Sequence, residues 1–199
     1  MIVITHPTAV ANEINTIHEL LEHGLELLHI RKPEFSAIEM EKFVKAIGLE
    51  FLNKLVVHHH HHLAEDLGII RLHLSEKERK EISTEKLYEY NERRIRLSTS
   101  THSIEGFNHL RLFFQYAFLS PVFPSISKSN YQSETNLFED IKNRSNFSTQ
   151  LVALGGISSE NIDKTIKAGF DDIALLGTIW NTENSIQNFK SCQQIALSY

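Results

Sequence analysis

Cations, hydroxyls and glycines gather just after the short apolar runs of this chain, where they could grip phosphate. His29, Arg31 and Lys32 follow one run, His58 and His59 the next, and Ser75, Glu76 and Glu78 a third. Further along come Ser100-Thr101-His102 and the hydroxyl-rich turn Ser120-Pro121-Val122-Phe123-Pro124-Ser125-Ile126-Ser127-Lys128. Gly155-Gly156-Ile157-Ser158 and Leu176-Gly177-Thr178 close the series. A guanidinium presents a planar fork to two phosphate oxygens and an ammonium a point charge, so Arg31 and Lys128 suit one anionic group. Glycines let backbone N–H groups approach a second anion, for which Gly155, Gly156 and the Leu176-Gly177 turn are candidates; the same glycines also suit sharp turns. Histidine brings proton transfer near neutral pH or transition-metal binding, whereas magnesium prefers carboxylate oxygen. The chain holds 12 histidines, five of them consecutive from His58 to His62. Consecutive imidazoles give metal affinity without a preformed geometry. The plainer expectation for His60, His61 and His62 is exposure at the start of a helix.

These groups need a frame to bring them together. β-Branched or apolar runs predict strands at Ile2–Thr5, Leu27–Ile30, Leu55–His58, Arg71–His73, Arg94–Leu97, Tyr116–Leu119, Leu151–Leu154 and Asp172–Leu176. Runs this short suit strands covered on both faces, as in a parallel sheet wrapped by helices. Helical spacing appears between them. Ala11–His23 sets Ile14, Ile17, Leu20 and Leu21 on one stripe, and Ser36–Leu52 opens with the capping pair Ser36 and Glu39. Ser159–Ala168 ends before Gly169, and Asn184–Leu197 forms the last helix. Eight strand signals, most with a helical follower, predict an α/β fold in which residues 1–199 form one (β/α)8 TIM barrel. An open doubly wound sheet needs fewer strands, and its dinucleotide fingerprint is absent. In a barrel the chemistry sits on the loops that follow the strands, where the residues above fall.

Composition narrows the class. The chain has 199 residues, 41% of them hydrophobic, with 20 basic against 25 acidic side chains and a formal charge of −5. That apolar share supports a core and excludes a disordered chain. A net negative charge without a Lys/Arg run argues against nucleic acid as the main partner. No apolar stretch is long enough for a membrane helix, and Met1–Pro7 lacks the flank and length of a signal peptide. The lone Cys192 fits a reducing cytoplasm. Small phosphorylated molecules are the expected partners.

The ordered motifs Ser100-Thr101-His102-Ser103, Pro121-Val122-Phe123-Pro124 before Lys128, Leu154-Gly155-Gly156-Ile157 with Asn161, and Ala168-Gly169-Phe170-Asp171 resemble those of thiamine phosphate synthases. The closely similar thiazole tautomerases share the fold. The resemblance spans nearly the whole chain. It implies transfer of a hydroxymethylpyrimidine from its diphosphate to a thiazole phosphate, giving thiamine phosphate and pyrophosphate. The implied route is dissociative: pyrophosphate leaves, aided by Mg²⁺ and cations, and the thiazole nitrogen captures the pyrimidine methyl cation.

Carried over residue by residue, the resemblance implies catalytic roles for Arg31, Ser100 and Lys128. It implies substrate contacts for His29, His58, Ser125, Ser127, Gly155, Gly156, Leu176 and Gly177. The family's glutamine after the second strand reads here as His29, and its lysine position as Pro33, with Lys32 a neighbouring substitute. Its Asn-Asp pair after the third strand reads as His58-His59. The implied Mg²⁺ ligands are therefore His59 and Glu78, with one acidic ligand gone, which predicts low turnover with Mg²⁺. His73 is expected as a packed, hydrogen-bonded histidine, and His102 as a support for the loop beside Ser100. Two other readings stay open: a thiazole tautomerase-like isomerase, whose catalytic histidine position falls at Pro121, and a non-catalytic barrel that binds phosphorylated ligands. Family members often pair, which allows a homo-oligomer.

Overall fold

The computed structural model describes residues 1–123 and 137–199. Eight parallel strands close into a barrel in sequence order. They are β1 (Ile2–Ile4), β2 (Leu27–Ile30), β3 (Leu55–Val57), β4 (Arg71–Leu74), β5 (Arg96–Thr101), β6 (Phe114–Leu119), β7 (Gln150–Leu154) and β8 (Asp172–Leu175). The helices that return the chain are α1 (Glu13–Glu22), α2 (Ala37–Ile47), α3 (His61–Asp66), α4 (Glu76–Glu81), α5 (Thr84–Glu92), α6 (Ile104–Asn108), α7 (Leu137–Asp140), α8 (Ile162–Lys167), α9 (Gly177–Trp180) and α10 (Ser185–Ala196). This is the (β/α)8 architecture expected from the strand signals.

Most boundaries shift by one to three residues from expectation, and three of the differences have clear local reasons. The fifth strand starts at Arg96, not Arg94, because Arg94 adopts φ 58° and closes the turn after α5. That turn is tied by Arg94 N–H to Asn91 O and Ile95 N–H to Tyr90 O. The strand then runs on to Thr101, so Ser100 lies inside it rather than beyond it. The long second helix breaks at Gly48, with φ 114°, and a 3-10 turn over Leu49–Lys54 completes the stretch. α1 begins at Glu13 because Asn12 takes a left-handed φ of 56°.

Strand pairing fixes which side chains face the barrel axis. Neighbours at one register point the same way, so Ile4 beside His29, His73 beside Ser98, and Ser100 beside Phe118 all face inward. Alternate residues such as Val3, Leu28, Leu72, Ala117, Leu151 and Ile173 face outward into the main core beneath the helices. Ile2, Ile4, Tyr116, Phe118, Val152 and Ala174 form a second cluster inside. Filling both layers with buried aliphatic groups, each worth about 1.5–3 kcal/mol against exposure, holds the ring closed.

Candidate active site

A pocket of about 420 Å³ opens at the C-terminal ends of the strands. One wall carries Arg31, His58, His59 and His73, and the opposite wall carries Ile4, Phe118, Leu154 and Leu176. Ser75, Glu76, Glu78, Ser100, His102 and Ser120 complete the rim. Arg31 follows β2 directly and is exposed. Its backbone is pinned to the end of β1: Arg31 N–H donates to Thr5 Oγ1 at 2.9 Å, and that hydroxyl donates to Arg31 O at 3.3 Å. Among the described residues no carboxylate pairs with its guanidinium, which leaves the fork available to an anion.

Lys32 is not the substitute expected at the rim. The strand alternation turns it outward, where it is fully buried. There its ammonium donates to both Glu13 carboxylate oxygens, at 2.7 and 2.6 Å, and to Thr8 O at 2.9 Å. The rings of Phe35 and Phe43 lie 5.5 and 5.2 Å away. A buried ammonium so fully paired is a structural tie between the loops after β1 and β2.

Beneath Arg31 lies a buried network. His29 and His58 share a hydrogen bond between Nδ1 and Nε2 at 2.9 Å, and His29 Nε2 meets the Tyr116 hydroxyl at 2.6 Å. His73 Nδ1 lies 2.9 Å from Ser98 Oγ, and its Nε2 lies 2.9 Å from Ser100 Oγ. Ser98 Oγ donates to Leu72 O at 3.4 Å, so it accepts from His73 Nδ1–H, and Ser100 Oγ–H in turn donates to Nε2. The His58 and His73 rings stack at 4.2 Å. Burial drives the pKa values of His29 and His58 well below the usual imidazole range, and neighbouring imidazoles push the same way. Burial likewise lowers His73, to about 3. All three are therefore neutral at pH 7. His73 is packed and hydrogen-bonded as expected, and it also orients Ser100.

Ser98 and Tyr116, absent from the expected site, join this network. Their signal is parity: both occupy inward positions of buried strands, where a polar side chain must find a partner.

The acidic side of the rim is committed to helix capping. Glu78 Oε2 accepts from Ser75 N–H at 2.8 Å and from Ser75 Oγ–H at 2.6 Å, a reciprocal cap that starts α4. Glu76 pairs with Lys80 at 2.9 Å and with Arg79 at 3.5 Å. His59 brings an imidazole whose pKa burial lowers, with Glu78 opposing that shift. Mg²⁺ requires hard oxygen ligands in near-octahedral geometry. Imidazoles at the end of β3 and carboxylates engaged within α4 do not fit it.

The last three loops meet on the far side. Val122 N–H donates to Leu154 O at 3.0 Å and Phe123 N–H to Gly155 O at 3.1 Å, drawing the loop after β6 against the one after β7. A Cβ at Gly155 would sit 3.0 Å from Pro121 Cα, and its φ is 101°, so only glycine allows this approach. The sharp-turn role is thus real for Gly155. Gly156 follows, its carbonyl held by Asn161 Nδ2–H at 2.8 Å. Among the described residues the N–H groups of Gly155 and Gly156 have no acceptor. Leu176 lines the pocket and precedes α9, which begins at Gly177. Thr178 Oγ1 donates to Ile157 O, joining the loops after β7 and β8. Ser125, Ser127 and Lys128 lie outside the described residues.

The histidine run is not uniformly exposed. His60 takes a left-handed φ of 57° at the start of α3, and its Nε2 bonds Phe35 O at 2.7 Å. His61 is partly buried and its Nε2 has no partner among the described residues, while His62 is exposed. His102, expected to support the loop beside Ser100, reaches the loop after β6, where its Nδ1 donates to Ser120 O at 2.7 Å. The tautomerase position carries only Pro121, which has no titratable group.

Comparison with known proteins gives a consistent result. A family model described as thiamine monophosphate synthase matches residues 1–179. The thiamine-phosphate synthase of Clostridium tetani is 25% identical over 190 residues, covering 90% of this chain and 84% of that one. That of Citrobacter koseri is 28% identical over 182 residues, covering 88% and 84%. The crystal structure of thiamine phosphate pyrophosphorylase from Bacteroides thetaiotaomicron superposes with a TM-score of 0.75 at 29% identity, covering 98% of this chain and 96% of that one. The thiamine phosphate pyrophosphorylase of Pyrococcus furiosus shares the fold at a TM-score of 0.77 and 18% identity, covering 99% and 95%. Among the described residues no helix is long and apolar enough to cross a membrane.

Proposed function

The chain belongs to the thiamine monophosphate synthase family, and on that premise we propose that it transfers a hydroxymethylpyrimidine from its diphosphate to a thiazole phosphate, releasing pyrophosphate. The observation that carries the reading is the two-sided pocket, with a guanidinium that no carboxylate among the described residues pairs facing an aromatic and aliphatic wall. A dissociative transfer needs both. The departing diphosphate needs fixed positive charge, and Arg31 supplies it from a pinned backbone. The cation left behind needs shelter from water, and Ile4, Phe118, Leu154 and Leu176 offer a surface against which flat heterocycles pack.

In this reading the N–H groups of Gly155 and Gly156, with the turn at Leu176-Gly177, take the phosphate of the thiazole partner. Ser100 donates its O–H hydrogen bond to His73, which leaves its oxygen lone pairs for a substrate donor. His29 and His58 hold the polar wall in place beneath the substrate. Lys128, with Ser125 and Ser127 before it, supplies a second cation and hydroxyls to the diphosphate. No step is assigned to Mg²⁺, because His59 and Glu78 do not suit it. The comparisons bear on the class of reaction and lend the expected weakness with Mg²⁺ no support. The same reading puts a cytoplasmic enzyme on small phosphorylated substrates.

The test is to supply purified protein with both substrates and follow thiamine phosphate. Product is expected, and Arg31→Ala should cut kcat by about 10²–10³-fold, the usual loss for one donor to a developing anion. Saturable binding of both substrates without product would defeat the transferase reading. Undiminished turnover in Arg31→Ala would remove Arg31 from it.

A further inference from the structure

Three buried imidazoles from neighbouring strands converge on one point beneath the pocket. We propose that His29, His58 and His73 form a binding site for a divalent transition ion of the zinc class, with its fourth position open to the pocket. Each of the three offers a ring nitrogen, and these atoms all lie within 4.8 Å of one another. A tetrahedral zinc with Zn–N bonds of about 2.0–2.1 Å sets its ligand nitrogens about 3.4 Å apart. The His29–His58 contact of 2.9 Å needs only a small opening to reach that spacing.

The surroundings match what such an ion requires. Imidazole is a borderline ligand that suits zinc, cobalt, nickel or copper and not magnesium. Metal-bound histidines usually donate their second N–H to a fixed acceptor, and two of these already have one. His29 Nε2 meets Tyr116, and His73 Nδ1 meets Ser98, so the ion takes His73 Nε2 in place of the Ser100 hydroxyl that now donates to it. The imidazoles are also held in the neutral form that binds a metal. His58 and His73 border the pocket, so the fourth position faces the space assigned to substrate. The site lies apart from His62, which is exposed, and from His60, whose ring is held by Phe35 O. It does not rest on the synthase reading, since the ion can be measured without substrate.

The experiment titrates chelator-treated, full-length protein with Co²⁺ and reads the visible spectrum. One equivalent should produce the intense bands of tetrahedral Co²⁺, displaced by Zn²⁺ and untouched by excess Mg²⁺. His29→Gln and His73→Gln should each abolish the bands, with far-UV circular dichroism checking that the variants fold. Tyr116→Phe should weaken Co²⁺ binding about 10–100-fold, as expected for loss of a ligand's partner. His62→Ala should leave the titration unchanged. Paramagnetically shifted ring signals from three histidines in the unaltered protein would count the ligands even if a glutamine variant did not fold. Absence of tetrahedral bands, bands that survive in folded His73→Gln, or their loss in His62→Ala would each overturn the proposal.

Discussion

The inside of the barrel has two unlike arcs. From β6 through β8 to β1 the inward positions nearest the mouth are the apolar Phe118, Val152, Leu154, Ala174, Ile2 and Ile4, with the polar Gln150 and Asp172 at the opposite end of β7 and β8. From β2 to β5 they include His29, His58, His73, Ser98 and Ser100. Tyr116 joins the arcs, with its ring in the apolar cluster and its hydroxyl on His29. An apolar arc asks only for volume and shape, and its contacts have no direction. A polar arc must pair every buried nitrogen and oxygen, so each side chain there dictates its neighbour's orientation. The difference teaches where this barrel can afford to be chemically exact: one arc supplies a surface, the other a set of aimed atoms.

Acid should break the polar arc first and hardest. The unfolded chain binds protons near pH 6.5, while His29, His58 and His73 refuse them when folded. Their contribution is therefore complete above about pH 6.5 and is lost as pH falls, for His73 down to about 3. The slope is about 1.4 kcal/mol per pH unit for each histidine, or about 4 for all three where they titrate together. Urea unfolding of metal-free protein at stepped pH checks this, with His73→Gln expected to flatten the slope. Equal slopes in the two proteins would mean that His73 is not excluded from protonation.

The apolar arc should fail next, through volume alone. Phe118 is 1% exposed and touches the rings of His29 and His73 at 4.9 and 5.1 Å. Phe118→Ala should cost about 3–5 kcal/mol in urea unfolding, with little change between pH 7 and 8. The smallest effect belongs to a single polar link. Ser98→Ala strands His73 Nδ1 and should cost about 1–3 kcal/mol. Nuclear magnetic resonance of the His73 ring should then show a changed tautomer balance; an unaltered ring signal would detach Ser98 from the network.

Much of the frame is legible in the chain because buried parallel strands read as uninterrupted apolar runs. Leu27–Ile30, apolar apart from His29, keeps its expected bounds. Arg94–Leu97 misleads because charges precede it and the left-handed turn at Arg94 has no glycine to announce it. The rim is legible at Arg31 and Ser100, since a cation or hydroxyl after an apolar run marks a strand end. Lys32 looks equally promising in a string of letters, but one residue along a strand reverses the side chain's direction. The imidazole cluster is hidden for another reason. Its members come from three strands, and the eye is drawn instead to the five adjacent histidines, of which only His58 belongs to it.

The ammonium of Lys32, clasped by Glu13 and Thr8 behind the barrel wall, has an implication for how this protein can change. It secures the segment carrying Arg31 from the reverse side, without using any atom that looks into the mouth. Tip and anchor are thereby separable: evolution or an engineer can exchange the gripping residue while its mount stays bolted. A loss of turnover on altering Arg31 should accordingly report on what is being held, and not on whether the rim still stands.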